Sequence, residues 1–307
     1  MAEIAVLIPC YNEETTIGRV VADFRKELPE AKIYVYDNNS TDLTAPKAAE
    51  AGAIVKSEPK PGKGNVVRSM FRDVDADVYV MVDGDATYPS KQVHELIEPV
   101  LEQRADVTVG VRLETYTDKS FRRFHKFGNE LIKNMINVIF GTKLRDILSG
   151  YRCFNKRFVK TSTVLSRGFE VETELTLQAI DRNFVIEEIP IEYRERPAGS
   201  YSKLNTYVDA VLIIRTIFWI FKDYKPLKFF STIGVIGLLL GFGLGGIPVI
   251  EFFKTGKVTH PSTSVLAAGI VMLSFLSFVT GMILDTIGRR NREIFQLIAD
   301  QVIRGPK

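Results

Sequence analysis

Cysteine is scarce in this chain of 307 residues: only Cys10 and Cys153 occur, too far apart for a CxxC pair. That excludes a disulfide framework and reads as two reduced, buried small side chains in a cytosolic compartment. The histidines are equally few, and His94, His125 and His260 are too scattered to spell out a zinc site. The amino terminus lacks the marks of a leader. Its apolar run, Ile4 to Ile8, has no basic region before it and no small-residue cleavage site after it, so it reads as a strand. No basic stripe interleaved with aromatics occurs in the polar part of the chain, which argues against nucleic-acid binding. The net charge of +3 hides a split: residues 1–200 carry 28 Lys+Arg against 31 Asp+Glu, and residues 201–307 carry 12 against 6. The basic end suits an anionic membrane leaflet.

From Ile4 to Arg112, short β-type runs alternate with helix-like stretches. The strands are expected at Ile4–Ile8, Lys32–Tyr36, Ala53–Lys56, Val78–Val82 and Val107–Val111; the helices fall near Glu14–Leu28, Leu43–Ala51, Gly64–Asp73 and Lys91–Gln103. The alternation predicts an α/β domain with a mostly parallel sheet and helices on both faces. Ligands of such sheets bind beyond the carboxyl ends of the strands. Polar motifs occupy those places: PCYNEE after the first strand, DNNSTD after the second and DGDATY after the fourth. In the last, Asp83 and Asp85 flank a glycine. At positions i and i+2 of an extended strand end they would point the same way and could reach one hard divalent cation.

Lys119 to Gly141 mixes apolar and basic residues as an amphipathic helix does, either lying in a headgroup layer or packed on the sheet. Leu204 to Tyr224 is a more apolar interfacial segment with Tyr207, Trp219 and Tyr224 as anchors. Phe229 to Ile250 then gives 22 uncharged residues and Pro261 to Leu284 gives 24, where roughly 20 suffice to cross a bilayer. Arg215, Lys222, Lys225 and Lys228 precede the first run and Arg289, Arg290 and Arg292 follow the second, so the positive-inside rule puts both termini and the metal site in the cytoplasm. The expected plan is a cytoplasmic catalytic domain over 1–203, including the interfacial helix 119–141. A juxtamembrane helix follows over 204–228, then a transmembrane hairpin over 229–287 and a tail over 288–307. Gly237, Gly241 and Gly245 make a small-residue face that would meet either the second span or another copy in a homo-oligomer.

IAVLIPCYNEE together with IYVYDNNSTD resembles the inverting glycosyltransferases of family 2, which share the GT-A fold. The resemblance implies that Pro9, Tyr11 and Glu13 frame a nucleoside. The family's second strand commonly ends in DDGSxD. Here Asp37 and Asp42 keep the outer acids while Asn38 is amidated, so Asp37 is the expected contact to base or ribose. Asp83 and Asp85 would hold Mg2+ or Mn2+ on the donor's diphosphate, with Asp85 catalytic, and Lys63 in PGKGN would close on the nucleotide.

DILSGYRCF, residues 146–154, and RERPAGSYSKL, residues 194–204, are similar to motifs of the polyprenyl-phosphate branch of that family, which includes dolichyl-phosphate mannose synthase-like and undecaprenyl-phosphate enzymes. By that likeness Arg194, Arg196, Ser202 and Lys203 close over the diphosphate. Arg112, Arg122 and Arg123 grip the acceptor phosphate, and Asp146 is a base or orients Arg152 or its loop. The implied partners are a UDP- or GDP-linked sugar, undecaprenyl or dolichyl phosphate, and the lipid bilayer. Glu170, Glu172 and Glu174 lie at i, i+2 and i+4 of a helix, either solvated or with one of the face-sharing Glu170 and Glu174 meeting sugar or the basic loop. The sole tryptophan, Trp219, lies outside any QxxRW motif, which argues against a processive polysaccharide synthase. A non-catalytic nucleotide-sugar scaffold is the remaining alternative, and intact Asp83, Asp85 and Lys203 speak against it.

Overall fold

A computed structural model describes residues 2–113, 122–166, 168, 170–194 and 218–304. The chain forms two compact units, Met1–Thr206 with Ala299–Lys307, and Tyr207–Ile298. The first is built on strands β1 (Ile4–Cys10), β2 (Lys32–Asp37), β3 (Ile54–Ser57), β4 (Val78–Met81), β5 (Val107–Leu113), β6 (Arg152–Asn155) and β7 (Ile186–Glu192). They form one sheet in the order β3-β2-β1-β4-β6-β5-β7. β6 runs antiparallel to both its neighbours, β4 and β5, while the remaining pairs are parallel. The five strands expected from the alternating pattern are present, and β6 and β7 complete a GT-A-like mixed sheet.

Alternation along the strands fixes the two faces. Val6, Ile8 and Cys10 of β1 and Val78 and Val80 of β4, with Val82 just beyond it, enter one apolar core. Ile17, Val20, Val21 and Phe24 of helix α1 (Ile17–Glu27) and Val93, Leu96, Ile97 and Val100 of α4 (Val93–Leu101) fill it. On the other side, Phe71 of α3 (Lys63–Asp73), Phe154 of β6, Phe158 of α6 (Lys156–Thr161) and Phe184, just beyond α7 (Val171–Asp181), form a chain of ring contacts at centroid distances of 5.6, 5.2 and 5.2 Å. α2 (Thr44–Glu50) links β2 to β3.

Pro9 is tolerated in the middle of the sheet for a simple reason. The Leu7 carbonyl accepts from Val82 N–H and the Cys10 carbonyl from Asn38 N–H, so alternate residues of β1 face β4 and β2 in turn. Pro9 falls on the β4 side, beyond the last β1–β4 partners, Leu7 and Met81. Its missing N–H therefore removes no ladder bond. At the opposite edge, Pro190 of β7 pairs only with β5.

The amphipathic stretch is helix α5 (Arg122–Phe140). Ile132 and Ile136 are buried, whereas Leu131 and Val138 of the same helix are exposed, Val138 at 80%. The described part of this helix thus packs one apolar face inward and shows another outward.

The second unit contains α8 (Pro226–Thr255) and all but the last residues of α9 (Pro261–Arg304). Pro226 opens α8 at a position where no amide hydrogen is needed, and Gly256 closes it in the left-handed region at φ 69°. Both helices have a mean hydropathy of 2.2 in their best windows, of which only 17% is buried. A core helix of a soluble protein would be mostly covered; these present apolar surface outward, as membrane association requires. α9 runs on through the expected tail to Arg304, supported by Asp285–Arg289 and Arg290–Glu293 pairs at 3.4 and 2.9 Å.

The small-residue face of α8 is directed at α9 of the same chain. A Cβ on Gly241 would lie 3.3 Å from the Ala267 carbonyl oxygen, and one on Gly245 3.3 Å from the Ala267 Cβ. Of the two partners left open by the sequence, the second span is the one this face meets. Gly241→Leu should therefore destabilise the hairpin by about 1–3 kcal/mol, the usual penalty of overpacking. Gly243→Leu, whose added Cβ would have nothing within 4 Å, should leave it unchanged. Thermal unfolding in detergent, followed on both variants, checks the contrast.

Candidate active site

Three parallel strands end side by side, and each delivers a polar loop. β1 leads into Tyr11, Asn12 and Glu13, β2 into Asn38 to Asp42, and β4 into Asp83 to Thr87. The first two loops are laced together: Asn12 N–H donates to Ser40 Oγ at 2.9 Å, Thr41 N–H to Asn12 Oδ1 at 2.8 Å, and Glu13 N–H to Thr44 Oγ1 at 2.8 Å. Asn12 and Asn39 reach the left-handed region, φ 54° and 62°, which asparagine accepts more readily than most residues.

The two aspartates stand in a turn beyond the end of β4 rather than on an extended strand end. This corrects the expected geometry: strand alternation does not set their direction, because the turn passes through Ala86 at φ 59°. Close packing fixes the turn instead. A Cβ on Gly84 would lie 2.7 Å from Cys10 Sγ, so only glycine fits between the aspartates. Thr16 Oγ1, buried at the start of α1, donates to the Gly84 carbonyl at 2.7 Å. Asp85 is 4% exposed and accepts from Thr87 N–H and Oγ1 at 3.2 and 2.6 Å.

The electrostatics identify the crevice. Burial pushes the Cys10 thiol well above its ordinary pKa, and the charges of Glu13, Asp37, Asp83 and Asp85 push it further. Charges from the ends of β1, β2 and β4 thus act together on one buried thiol. Asp37 accepts from Ser40 N–H through Oδ2 at 3.3 Å, while its buried Oδ1 has no hydrogen-bond partner among the described residues. Lys63, the first residue of α3, donates to Asp83 Oδ1 at 2.6 Å and also to Glu172 Oε1. Burial opposes its charge, yet Asp83 and Glu172 hold its pKa above the ordinary lysine value.

Asn38, the departure from the family's acidic pattern, has a defined task. Its amide donates to the Glu58 and Lys60 carbonyls, both at 2.8 Å, and its Oδ1 accepts from Gly62 N–H at 2.7 Å. These bonds fasten the loop that carries Lys63. An aspartate has no N–H to give.

The DILSGYRCF segment forms the other wall. Arg152 is fully buried in β6 and donates to the Ser149 carbonyl, the Ile147 carbonyl and Thr176 Oγ1, each at 2.8 Å. It thereby shapes its own loop and ties it to α7. Gly150 N–H donates to the Tyr88 hydroxyl at 2.9 Å, and a Cβ at Gly150 would lie 2.9 Å from Asp83 Cγ. Asp146 does orient its loop, accepting from Leu148 N–H at 3.1 Å, but its cationic partner is Arg112 rather than Arg152. Arg112 Nε and Nη2 meet its two oxygens at 2.7 and 3.0 Å, and the guanidinium lies 5.6 Å from the Tyr193 ring centroid. Glu188 of β7 accepts from Arg145 and Asp146 N–H at 2.7 and 3.0 Å.

Among the expected residues, Glu13, Asp37, Lys63, Asp83 and Asp85 converge, with Pro9 and the half-exposed Tyr11 at the mouth of the same strand. Arg112 and Asp146 form a pair on the acceptor-motif side. Arg194 N–H donates to the Thr87 carbonyl at 2.9 Å, so the basic segment begins at the Asp83–Asp85 turn. Arg196, Ser202 and Lys203 lie outside the described residues, as do the side chains of Arg122 and Arg123.

The glutamate expectation is corrected. Glu172, not the face-sharing Glu170 or Glu174, enters the site, and Glu174 accepts instead from Leu165 and Ser166 N–H, both at 2.9 Å. Helical periodicity could not single out Glu172, because its partner comes from a distant loop. Tyr88 and Gly150 were missed for the same reason.

The donor set suits a hard divalent ion: carboxylate oxygens in a crevice that already draws an ammonium onto Asp83. No group of three His, Cys, Asp or Glu side chains among the described residues is arranged to hold an ion unaided. Oxygens of a bound diphosphate would have to complete the shell.

Asn38→Asp should cost about 1–3 kcal/mol of stability, since the Glu58 and Lys60 carbonyls lose the Asn38 amide in a buried to part-buried setting. It should also raise the KM for donor by loosening the Lys63 loop. Thermal melting and donor titration of the purified variant measure the two effects.

Comparison with known proteins supplies the family. The profile of Glycosyl transferase family 2 matches residues 5–162. Glycosyltransferase AglJ of Haloferax volcanii is 30% identical over 298 residues, spanning 97% of either chain. The dolichyl-phosphate hexose transferase of the same organism is 27% identical, over 70% of this chain and 92% of its own. A crystal structure of glucosyl-3-phosphoglycerate synthase from Mycobacterium tuberculosis, in complex with Mn2+, UDP and phosphoglyceric acid, superposes with a TM-score of 0.60. It covers 72% of this chain and 78% of that one at 21% identity, a likeness of fold. The chain belongs to glycosyl transferase family 2 and is a glycosyltransferase.

Proposed function

We propose that this enzyme moves a single hexosyl group from a nucleoside-diphosphate sugar to a polyprenyl phosphate, inverting the anomeric carbon, at the cytoplasmic face of a membrane. The observation that carries the reading is the gathering of Glu13, Asp37, Asp83, Asp85 and Lys63 at the carboxyl ends of β1, β2 and β4, in a chain that also carries two lipid-compatible helices. A relative named for hexose transfer to dolichyl phosphate supports the acceptor, and a solved structure of this fold in complex with Mn2+ and UDP supports the donor.

Asp37 offers its buried Oδ1 to a nucleoside N–H or ribose hydroxyl, and Tyr11 supplies an exposed ring beside it. Asp83 and Asp85 would hold Mg2+ or Mn2+, which would supply positive charge to neutralise that growing on the leaving nucleoside diphosphate. By the family resemblance, Arg194, Arg196, Ser202 and Lys203 would contact the diphosphate. Asp146 takes two of the five N–H donors of Arg112, leaving that guanidinium further capacity for an acceptor phosphate oxygen. Arg122 and Arg123 at the start of α5 are the further candidates for that phosphate.

The acceptor is already largely dianionic near pH 7, its second pKa being about 6. No strong base is therefore needed. A carboxylate locked in two charged hydrogen bonds is a poor base but a good strut, so Asp146 positions Arg112. The side of the membrane follows from Lys222, Lys225 and Lys228 before α8 and Arg289, Arg290 and Arg292 after the apolar part of α9.

Membranes containing the enzyme, incubated with radiolabelled nucleotide sugars and a polyprenyl phosphate, should yield organic-extractable label that EDTA suppresses. Asp85→Asn should lower this transfer by at least about a hundred-fold while membrane insertion stays intact. Full activity in that variant would overturn the role given to Asp85, and label on soluble acceptors without a phosphate would overturn the acceptor.

A further inference from the structure

Lys63 occupies an unusual place for a lysine. It is the first residue of α3, where a positive side chain meets the positive end of the helix dipole, and its side chain is only 10% exposed. Neither helix stability nor solvation accounts for it. What accounts for it is two carboxylates from distant parts of the chain. Asp83 accepts at 2.6 Å from the turn after β4, and Glu172, itself 5% exposed, accepts from the first turn of α7. A buried ammonium persists only when it is so paired.

Asp83 is correspondingly engaged. Oδ1 holds Lys63, and Gly150 packs so close to the carboxylate that a Cβ there would collide with it. A bare divalent ion approaching Asp83 must displace the ammonium or tolerate it as a near neighbour. An ion arriving with a nucleoside diphosphate brings the anionic oxygens that can take the ammonium over.

We propose that Lys63 is a resident counter-cation of the donor site. It neutralises Asp83 before loading, competes there with a bare divalent ion, and passes to the diphosphate when ion and nucleotide arrive together. Glu172 is the positioning residue that keeps the ammonium beside the site during the exchange. Arg152 supports it indirectly, because Thr176 Oγ1 accepts from Arg152 and donates to the Glu172 carbonyl at 2.9 Å. The consequence is an order of binding: the metal is retained with the nucleotide rather than ahead of it. The inference rests on the reading of Asp83 and Asp85 as ion-binding residues.

The test is a titration of Mn2+ alone into the solubilised full-length protein, with free Mn2+ followed by electron paramagnetic resonance. Lys63→Met should bind Mn2+ roughly ten-fold or more tightly than the parent, since a competing charge within a few ångströms is gone. Its transfer rate should nevertheless fall, because the diphosphate loses a partner. Glu172→Gln should shift Mn2+ affinity the opposite way, for the ammonium then belongs to Asp83 alone. Lys63→Arg, which keeps the charge, should stay near the parent.

Unchanged or weaker Mn2+ binding in a folded Lys63→Met protein overturns the proposal. Should that variant not fold, Glu172→Gln decides it: affinity equal to or above the parent overturns it. Asp85→Asn separates this inference from its premise. If the parent's Mn2+ binding survives Asp85→Asn, the ion-site reading itself fails. If it is lost there but Lys63→Met leaves affinity unchanged, only the counter-cation role fails.

Discussion

Carboxylates repel one another, and the catalytic unit brings Glu13, Asp37, Asp83 and Asp85 to neighbouring strand ends, where their charges act on the buried Cys10 thiol. Much of the surrounding structure serves to make that tolerable. Thr16 and Thr87 donate hydroxyl protons into the Asp83–Asp85 turn, Ser40 caps Asp37, and Lys63 places a full positive charge on Asp83. The glycines follow from the same crowding. Gly84 lets the turn settle on Cys10, and Gly150 leaves room for the Asp83 carboxylate. A crevice of this kind has a strong preference for cations and for ligands that carry their own.

The antiparallel strand β6 gives the crevice its second wall. By entering the sheet between β4 and β5 against the prevailing direction, it brings the loop Asp146–Tyr151 to the same end as the carboxyl termini of β1 and β4. Arg152 then holds that loop by its carbonyls, at the cost of burying a charge in a central strand. The loop in turn presents Asp146 to Arg112 and Gly150 to Asp83. One loop thus touches both Arg112 and Asp83 through residues four apart.

The parallel half of the sheet was legible from sequence because its signals are local. Buried runs such as Val78–Met81 stand between helices whose apolar spacing is plain, and the motifs at the strand ends carry the acids themselves. β6 was hidden because Arg152 interrupts its apolar pattern, and β7 because Pro190 and several glutamates disguise an edge strand. Within the site, Asp37, Lys63, Asp83 and Asp85 were found from motifs. Glu172 and Tyr88 were not, since each owes its role to a partner more than 60 residues away. The glycine face of α8 was visible as spacing, but its partner became evident only from the packing against Ala267.

Three carboxylates near the crevice have fixed partners: Asp146 is held by Arg112, Glu172 by Lys63 and Asp85 by Thr87. Such a site suits a nucleophile that arrives already ionised and a leaving group whose difficulty is charge rather than protonation. Nucleoside-diphosphate departure under attack by a phosphate monoester is that kind of reaction. Under the proposed reading, an acceptor that is both anionic at its head and insoluble in water would be met at a bilayer surface, where two such apolar helices would keep the enzyme in reach of it.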